Sequence, residues 1–95
     1  MPTFAVTYVY TDDPARRDQH RPRHREYLRG LHERGALHLS GPLADGPAGA
    51  LLVMEAGDPE QVAELLDEDP FALEGLITER SIRPWDIVIG ELPER

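Results

Sequence analysis

Proline- and glycine-centred breaks at Asp12-Asp13-Pro14, Gly35, Gly41-Pro42, Asp58-Pro59 and Asp69-Pro70 cut the chain into short segments. Between the breaks the hydrophobic period switches between two and 3.6, and this punctuation limits the fold more than any other feature. Thr3 to Tyr10 alternates Phe4, Val6, Tyr8 and Tyr10 with Thr3, Ala5, Thr7 and Val9 and is rich in β-branched and aromatic residues, which predicts a strand. The polar, helix-forming stretch that follows is interrupted by Pro22. Proline lacks the N–H that a helix interior needs, so Pro22 suits a first turn, and the main helix is expected from about Arg21 to Arg34 with Gly35 as its stop.

Leu37 and Leu39 alternate with His38 and Ser40 in a second strand closed by Gly41-Pro42, and Ala44-Asp45-Gly46-Pro47 has the composition of a turn. Ala50 to Ala56 is a third apolar run, hairpin-paired with the second. Asp58-Pro59-Glu60-Gln61 combines a capping acid, a first-turn proline and a reaching amide, and opens a helix with Val62, Leu65 and Leu66 as its buried stripe. That helix ends before Asp69-Pro70, because the residue before proline is pushed out of helical geometry. Phe71 to Gly75 reads as a short turn or helical connector. Ile82 to Gly90 is expected as the last strand, with Trp85, Ile87 and Ile89 on one side and Pro84 marking an edge or bulge near its start.

The order β-α-β-β-α-β is that of an α+β ferredoxin-like plait, an antiparallel four-stranded sheet with both helices on one face. Its other face needs a cover. A chain of 95 residues makes a single domain, 1–95, with one small core. With no cysteine there are no disulfides or thiolate metal sites to reinforce it, so a homodimer that stacks one sheet on another is the economical expectation.

Composition narrows function by exclusion. All ten basic residues are arginine, so Schiff-base and P-loop lysine mechanisms are ruled out. The net charge of −8 opposes attraction to nucleic-acid phosphates and anionic membrane surfaces. No apolar run approaches the roughly 20 residues that cross a bilayer, and the N-terminus lacks the pattern of a signal peptide, so the expected setting is cytoplasmic. The charge is uneven: residues 1–34 carry seven arginines and five acids, whereas residues 35–95 carry three and thirteen.

His24, Leu28 and Leu31 fall on one stripe of the first helix, which turns His24 toward the sheet, while Arg23, Arg25, Arg29 and Glu33 lie off it. An inward histidine is either a core-edge residue bonded to a backbone carbonyl or a general acid/base. Asp69 follows Leu65 and Leu66 at helical spacing and so shares their buried side, at a helix C-terminus whose dipole disfavours negative charge. It is either held by loop amides or paired. Both helices lie on one face, so His24 and Asp69 can meet, and a carboxylate that fixes one imidazole nitrogen leaves the other free to move a proton.

His20, His24, His32 and His38 lack the i, i+4 histidine pairing with glutamate of zincin helices, and no metal site is assigned. Arg16, Arg17, Arg21, Arg23 and Arg25 form either a solvated face or a grip for carboxylate or phosphate. Ser40 is most simply a strand-end residue.

The elements Arg21-Pro22-Arg23-His24, Tyr27-Leu28, Gly35, Ser40-Gly41-Pro42-Leu43, Asp69-Pro70-Phe71 and Ile82-Arg83-Pro84-Trp85, in this order and spacing, resemble the YciI-like (YCII-related) family across essentially the whole chain. The resemblance implies a dimeric α+β barrel and an active site built on a His–Asp pair, here His24 and Asp69, beside a pocket between helices and sheet. It also associates some members with chemistry on small oxygenated or halogenated aromatic rings. Arg23 and Arg25 flank His24 where smaller or apolar residues are common in the family, and an anionic ligand is favoured if they face the pocket.

Two readings follow. In one, the protein is a cofactor-independent lyase or isomerase in which His24 moves a proton, Asp69 orients it, and Arg21, Ser40, Gly41 and Pro42 bind a small cyclic or aromatic ligand. In the other, the pair is a buried polar network within a non-enzymatic ligand-binding or interaction module.

Overall fold

The computed structural model describes residues 1–92. Its elements are β1 (Thr3–Tyr10), α1 (Pro14–Glu33), β2 (Leu37–Pro42), β3 (Gly49–Glu55), α2 (Pro59–Asp67), α3 (Pro70–Leu73) and β4 (Ile77–Pro84). The four strands form one antiparallel sheet in the order β2-β3-β1-β4, the ferredoxin-like α+β topology that the segment order predicts. Phe4, Val6 and Tyr8 of β1 point under the helices and pack with Leu52 and Met54 of β3, Leu28 and Leu31 of α1, and Val62 and Leu66 of α2. Leu39 and Leu51 lie on the face that no helix covers and are 50% and 41% exposed. No described helix is long and apolar enough to cross a membrane.

α1 begins seven residues before the expected Arg21. Asp13 caps it, accepting from Arg16 N–H, and Pro14 takes the first-turn place that the sequence reading gave to Pro22. Pro22 instead sits in the interior on the exposed side, where the missing N–H leaves the Asp18 carbonyl without its helical donor.

β4 also differs from expectation: it runs from Ile77 to Pro84, and residues 85–92 form no strand. The register gives the reason. Pro84 lies opposite Phe4 and the Trp85 N–H bonds the Thr3 carbonyl, so β1 has no further strand residues for Trp85, Ile87 and Ile89 to pair with. Pro84 is therefore at the end of an edge strand, where its missing N–H costs least. A bulge at Thr78, whose hydroxyl donates to the Val9 carbonyl, brings Ile77 and Ile82 to the same face despite their odd spacing.

A second irregularity lies in β2. Leu37 pairs with Met54 and Leu39 with Val53, so His38 is the extra residue. Leu37 is buried while Leu39 is exposed, and the two do not share a face as strict alternation would require. The shift sends Ser40, opposite the buried Leu52, to the helix side of the sheet.

Candidate active site

Helical spacing brings His20, His24, Leu28 and Leu31 to the buried side of α1. Asp69 stands between α2 and α3 in extended geometry, as a residue before proline should, and caps α3 by accepting from the Phe71 N–H at 3.0 Å. This corrects its expected place in the last turn of α2. The end of α2 falls at Asp67 and Glu68, so the dipole that the carboxylate meets is the favourable end of α3.

The two residues meet. His24 Nδ1 lies 2.7 Å from Asp69 Oδ1, and the Tyr8 hydroxyl donates to Asp69 Oδ2 at 3.0 Å. Asp69 is wholly buried and Tyr8 nearly so. The Tyr8 hydroxyl and the Phe71 N–H both donate to Asp69, which accepts as a carboxylate with no proton to offer, so His24 Nδ1–H is the donor in that contact. In the neutral ring Nε2 then carries the lone pair, and it has no hydrogen-bond partner among the described residues. The imidazole is fixed further by the Phe71 ring, stacked on it at 3.8 Å and 3°. Tyr10 meets Phe71 edge-on at 5.4 Å.

Burial, followed by the charge and hydrogen bond of Asp69, raises the Tyr8 phenol well above the ordinary tyrosine range. Burial and then the same charge push Tyr10 up to about 12. Tyr27 is raised in the same direction, chiefly by burial, and its hydroxyl donates to the Leu65 carbonyl at 2.6 Å, which ties α1 to α2.

His24 opens onto a cleft of about 920 Å³ between α1 and the β2–β3 half of the sheet. Leu28, Leu37, Ala50, Tyr10 and Phe71 give it an apolar floor and wall. Arg21, Ser40, Gly41 and Pro42, the expected ligand-binding residues, all line it together with His24. Asp69 does not, and lies behind the imidazole.

The arginine run is divided. Arg16 bonds Glu74 and Arg17 donates to the Thr11 carbonyl at 2.5 Å, so these two hold α1 to its neighbours, while Arg23 donates to His20 Nδ1 at 3.3 Å within α1 itself. Of the two arginines flanking His24, Arg25 borders the cleft and Arg23 does not. The sequence reading did not assign Tyr8, Phe71, Arg29 or His32 to the site. Tyr8 was detectable in principle, since a tyrosine on a core-facing alternation needs a partner for its hydroxyl. Among the described residues no group of three histidine, aspartate or glutamate side chains is placed to hold a metal ion.

No curated protein matches the chain. Among solved structures, 5-chloro-2-hydroxyhydroquinone dehydrochlorinase (TftG) from Burkholderia phenoliruptrix AC1100, in complex with 2,5-dihydroxybenzoquinone, has the same fold, with a TM-score of 0.77. The match covers 88% of this chain and 93% of that one at 22% sequence identity. Residues 3–86, which carry every element from β1 to β4 and both members of the His24–Asp69 pair, match the YCII-related domain, and the chain belongs to that family.

Proposed function

We propose that the protein is a cofactor-independent enzyme of the lyase or isomerase type that uses His24 as general acid/base on a small cyclic or aromatic molecule. The observation that carries this reading is the 2.7 Å contact of His24 Nδ1 with a buried carboxylate while Nε2 is left unpaired at a cleft. Asp69 holds the tautomer and stabilises the imidazolium that forms, and Tyr8 and the Phe71 N–H hold Asp69. Nε2 takes a proton from a substrate C–H or O–H, and the electron pair moves into the ring system. Either that proton is returned at another carbon, which is an isomerisation, or an anionic leaving group departs and the proton is released to water, which is an elimination. Arg21 and Ser40 are placed to bind ligand oxygens, with Gly41 and Pro42 shaping the wall opposite α1.

The similarly folded TftG is a dehydrochlorinase of a chlorinated hydroxyhydroquinone, which supports a ring substrate and an elimination. The test is a panel of hydroxylated and chlorinated hydroquinones and small lactones, followed by absorbance and halide release, with wild type, His24→Asn and Asp69→Asn. Turnover lowered by about 100-fold or more in His24→Asn supports the reading. Undiminished turnover by folded variants overturns it and leaves the pair as a packing network.

The sheet face bearing Leu39 and Leu51 is the surface we assign to a second copy of the chain. Light scattering at micromolar concentration should give a dimer mass, and a monomer mass would refute the assignment.

A further inference from the structure

We infer that the cleft selects an anionic ring compound, with Arg25 and Arg29 as the residues that bind its carboxylate; this rests on the reading of the cleft as the substrate site. At 100° per residue, Arg21, Arg25, Arg29 and His32 fall roughly 60° to 140° around α1 from His24, on one flank of the helix. That flank borders the cleft, and all four residues line it. The opposite flank, with Tyr27, turns to α2.

The charge on this flank is poorly compensated. Asp18 is its one acid, and it is bound to Arg21. Arg25 and Arg29 are exposed, and their side chains make no hydrogen bond or ion pair with another described residue. No acidic residue lines the cleft, although 18 of the 95 residues are Asp or Glu and the chain as a whole carries −8. An ordinary solvated arginine face on so acidic a chain would be interleaved with carboxylates. Two unpaired guanidiniums one helical turn apart instead form a fork for planar anions.

The rest of the cleft specifies what the anion is attached to. Its floor is apolar, so a bare inorganic ion would leave most of it unfilled, whereas a ring fills the floor and presents its carboxylate to the helix flank. Arg29 lies roughly 7.5 Å along the axis from His24, about the span of a substituted ring, so the anion is held beyond the reacting end and not at Nε2. His32 keeps Nδ1 on the Leu37 carbonyl at 2.8 Å, which leaves its Nε2 free as a further polar contact on the same wall.

The test compares isophthalate with its uncharged diamide by calorimetric titration or by shifts of the His24 resonances. Proteins are the wild type, Arg25→Gln, Arg29→Gln, the double variant, and Arg23→Gln as a control on the opposite flank. Isophthalate should bind at least about tenfold more tightly than the diamide, and the double variant should lose that preference, while Arg23→Gln keeps it. Raising salt should weaken isophthalate only. Equal affinity for the two probes, an unchanged preference in the double variant, or no binding of isophthalate at all would overturn the inference. Failure of the acid/base reading is detected separately, as undiminished turnover in His24→Asn, because the probe assay needs no reaction.

Discussion

Replacing Tyr8 by phenylalanine tests whether the buried carboxylate depends on a tyrosine that sequence reading placed merely in the core. The ring of Tyr8 is 1% exposed and its packing survives the change, so what is lost is one hydroxyl and its 3.0 Å bond to Asp69 Oδ2. A hydrogen bond to a charged group is worth about 1.5–3 kcal/mol, and here its loss leaves a carboxylate oxygen with no other donor in a site with no solvent. Removing a hydroxyl that had to be desolvated returns part of this, which gives a net loss of about 2 kcal/mol. For a domain of this size that corresponds to a fall in Tm of roughly 8–16 °C. Urea unfolding at one fixed protein concentration measures it, for wild type, Tyr8→Phe, Asp69→Ala, which removes the acceptor, and the double variant. The two substitutions should couple by about 1 kcal/mol or more, since they share one bond. A loss below about 0.5 kcal/mol, or simple additivity, would show that Tyr8 does not hold Asp69.

A Cβ at Gly49 would lie 2.2 Å from the Tyr8 carbonyl oxygen, a backbone atom that cannot swing aside. Gly49→Ala should therefore cost about 3 kcal/mol in the same unfolding assay, and a variant as stable as wild type would refute the close strand approach. Stability should also fall in alkali. Tyr8 keeps its proton in the fold far above the ordinary value of about 10, and Tyr10 to about 12, so between these limits the unfolded chain binds fewer protons than the native one. Each buried phenol then removes up to about 1.4 kcal/mol per pH unit as pH rises, and urea midpoints that stay level from about pH 9 to about pH 11 would contradict this.

What the sequence made legible, and what it hid, divides along physical lines. Runs in which burial is one-sided and uninterrupted, such as Thr3 to Tyr10, were read correctly because alternation and burial coincide there. β4 was not, because Thr78, Glu79, Arg80 and Ser81 are polar, and the bulge at Thr78 breaks the period that would join Ile77 to Ile82. The bulge at His38 likewise put Leu37 and Leu39 on opposite faces. Bulges are set by pairing with another strand, which no window of single-chain periodicity contains. Pro22 misled for a related reason: proline's local cost was weighed correctly, but packing of His24, Leu28 and Leu31 against the sheet keeps the long helix continuous through it. His24 was legible from its stripe alone. Its flank of Arg25 and Arg29 was visible on the same helical wheel, but only the position of β2 shows which flank borders a cleft.

Asp69 joins the fold to the proposed chemistry through the same atoms. Its Oδ1 serves both the first turn of α3 and the His24 ring, and its Oδ2 serves β1 through Tyr8. Removing the side chain would therefore confound stability with function. Asp69→Asn avoids this, because an asparagine can place its carbonyl oxygen where Oδ1 stands and turn its amide toward Tyr8, whose hydroxyl oxygen can accept. The contacts to the Phe71 N–H and to His24 then keep their acceptor, the bond to Tyr8 reverses direction, and the negative charge beside the imidazole is gone. The variant should lose about 1–3 kcal/mol, because the Tyr8 hydroxyl proton and the second amide N–H are left without acceptors in a buried site. Imidazole nitrogen shifts should still report Nδ1 as the protonated nitrogen in the neutral ring, while turnover falls because the imidazolium loses its counter-charge. If its His24 carries the proton on Nε2, the stated tautomer is wrong, and the division of labour between Asp69 and His24 goes with it.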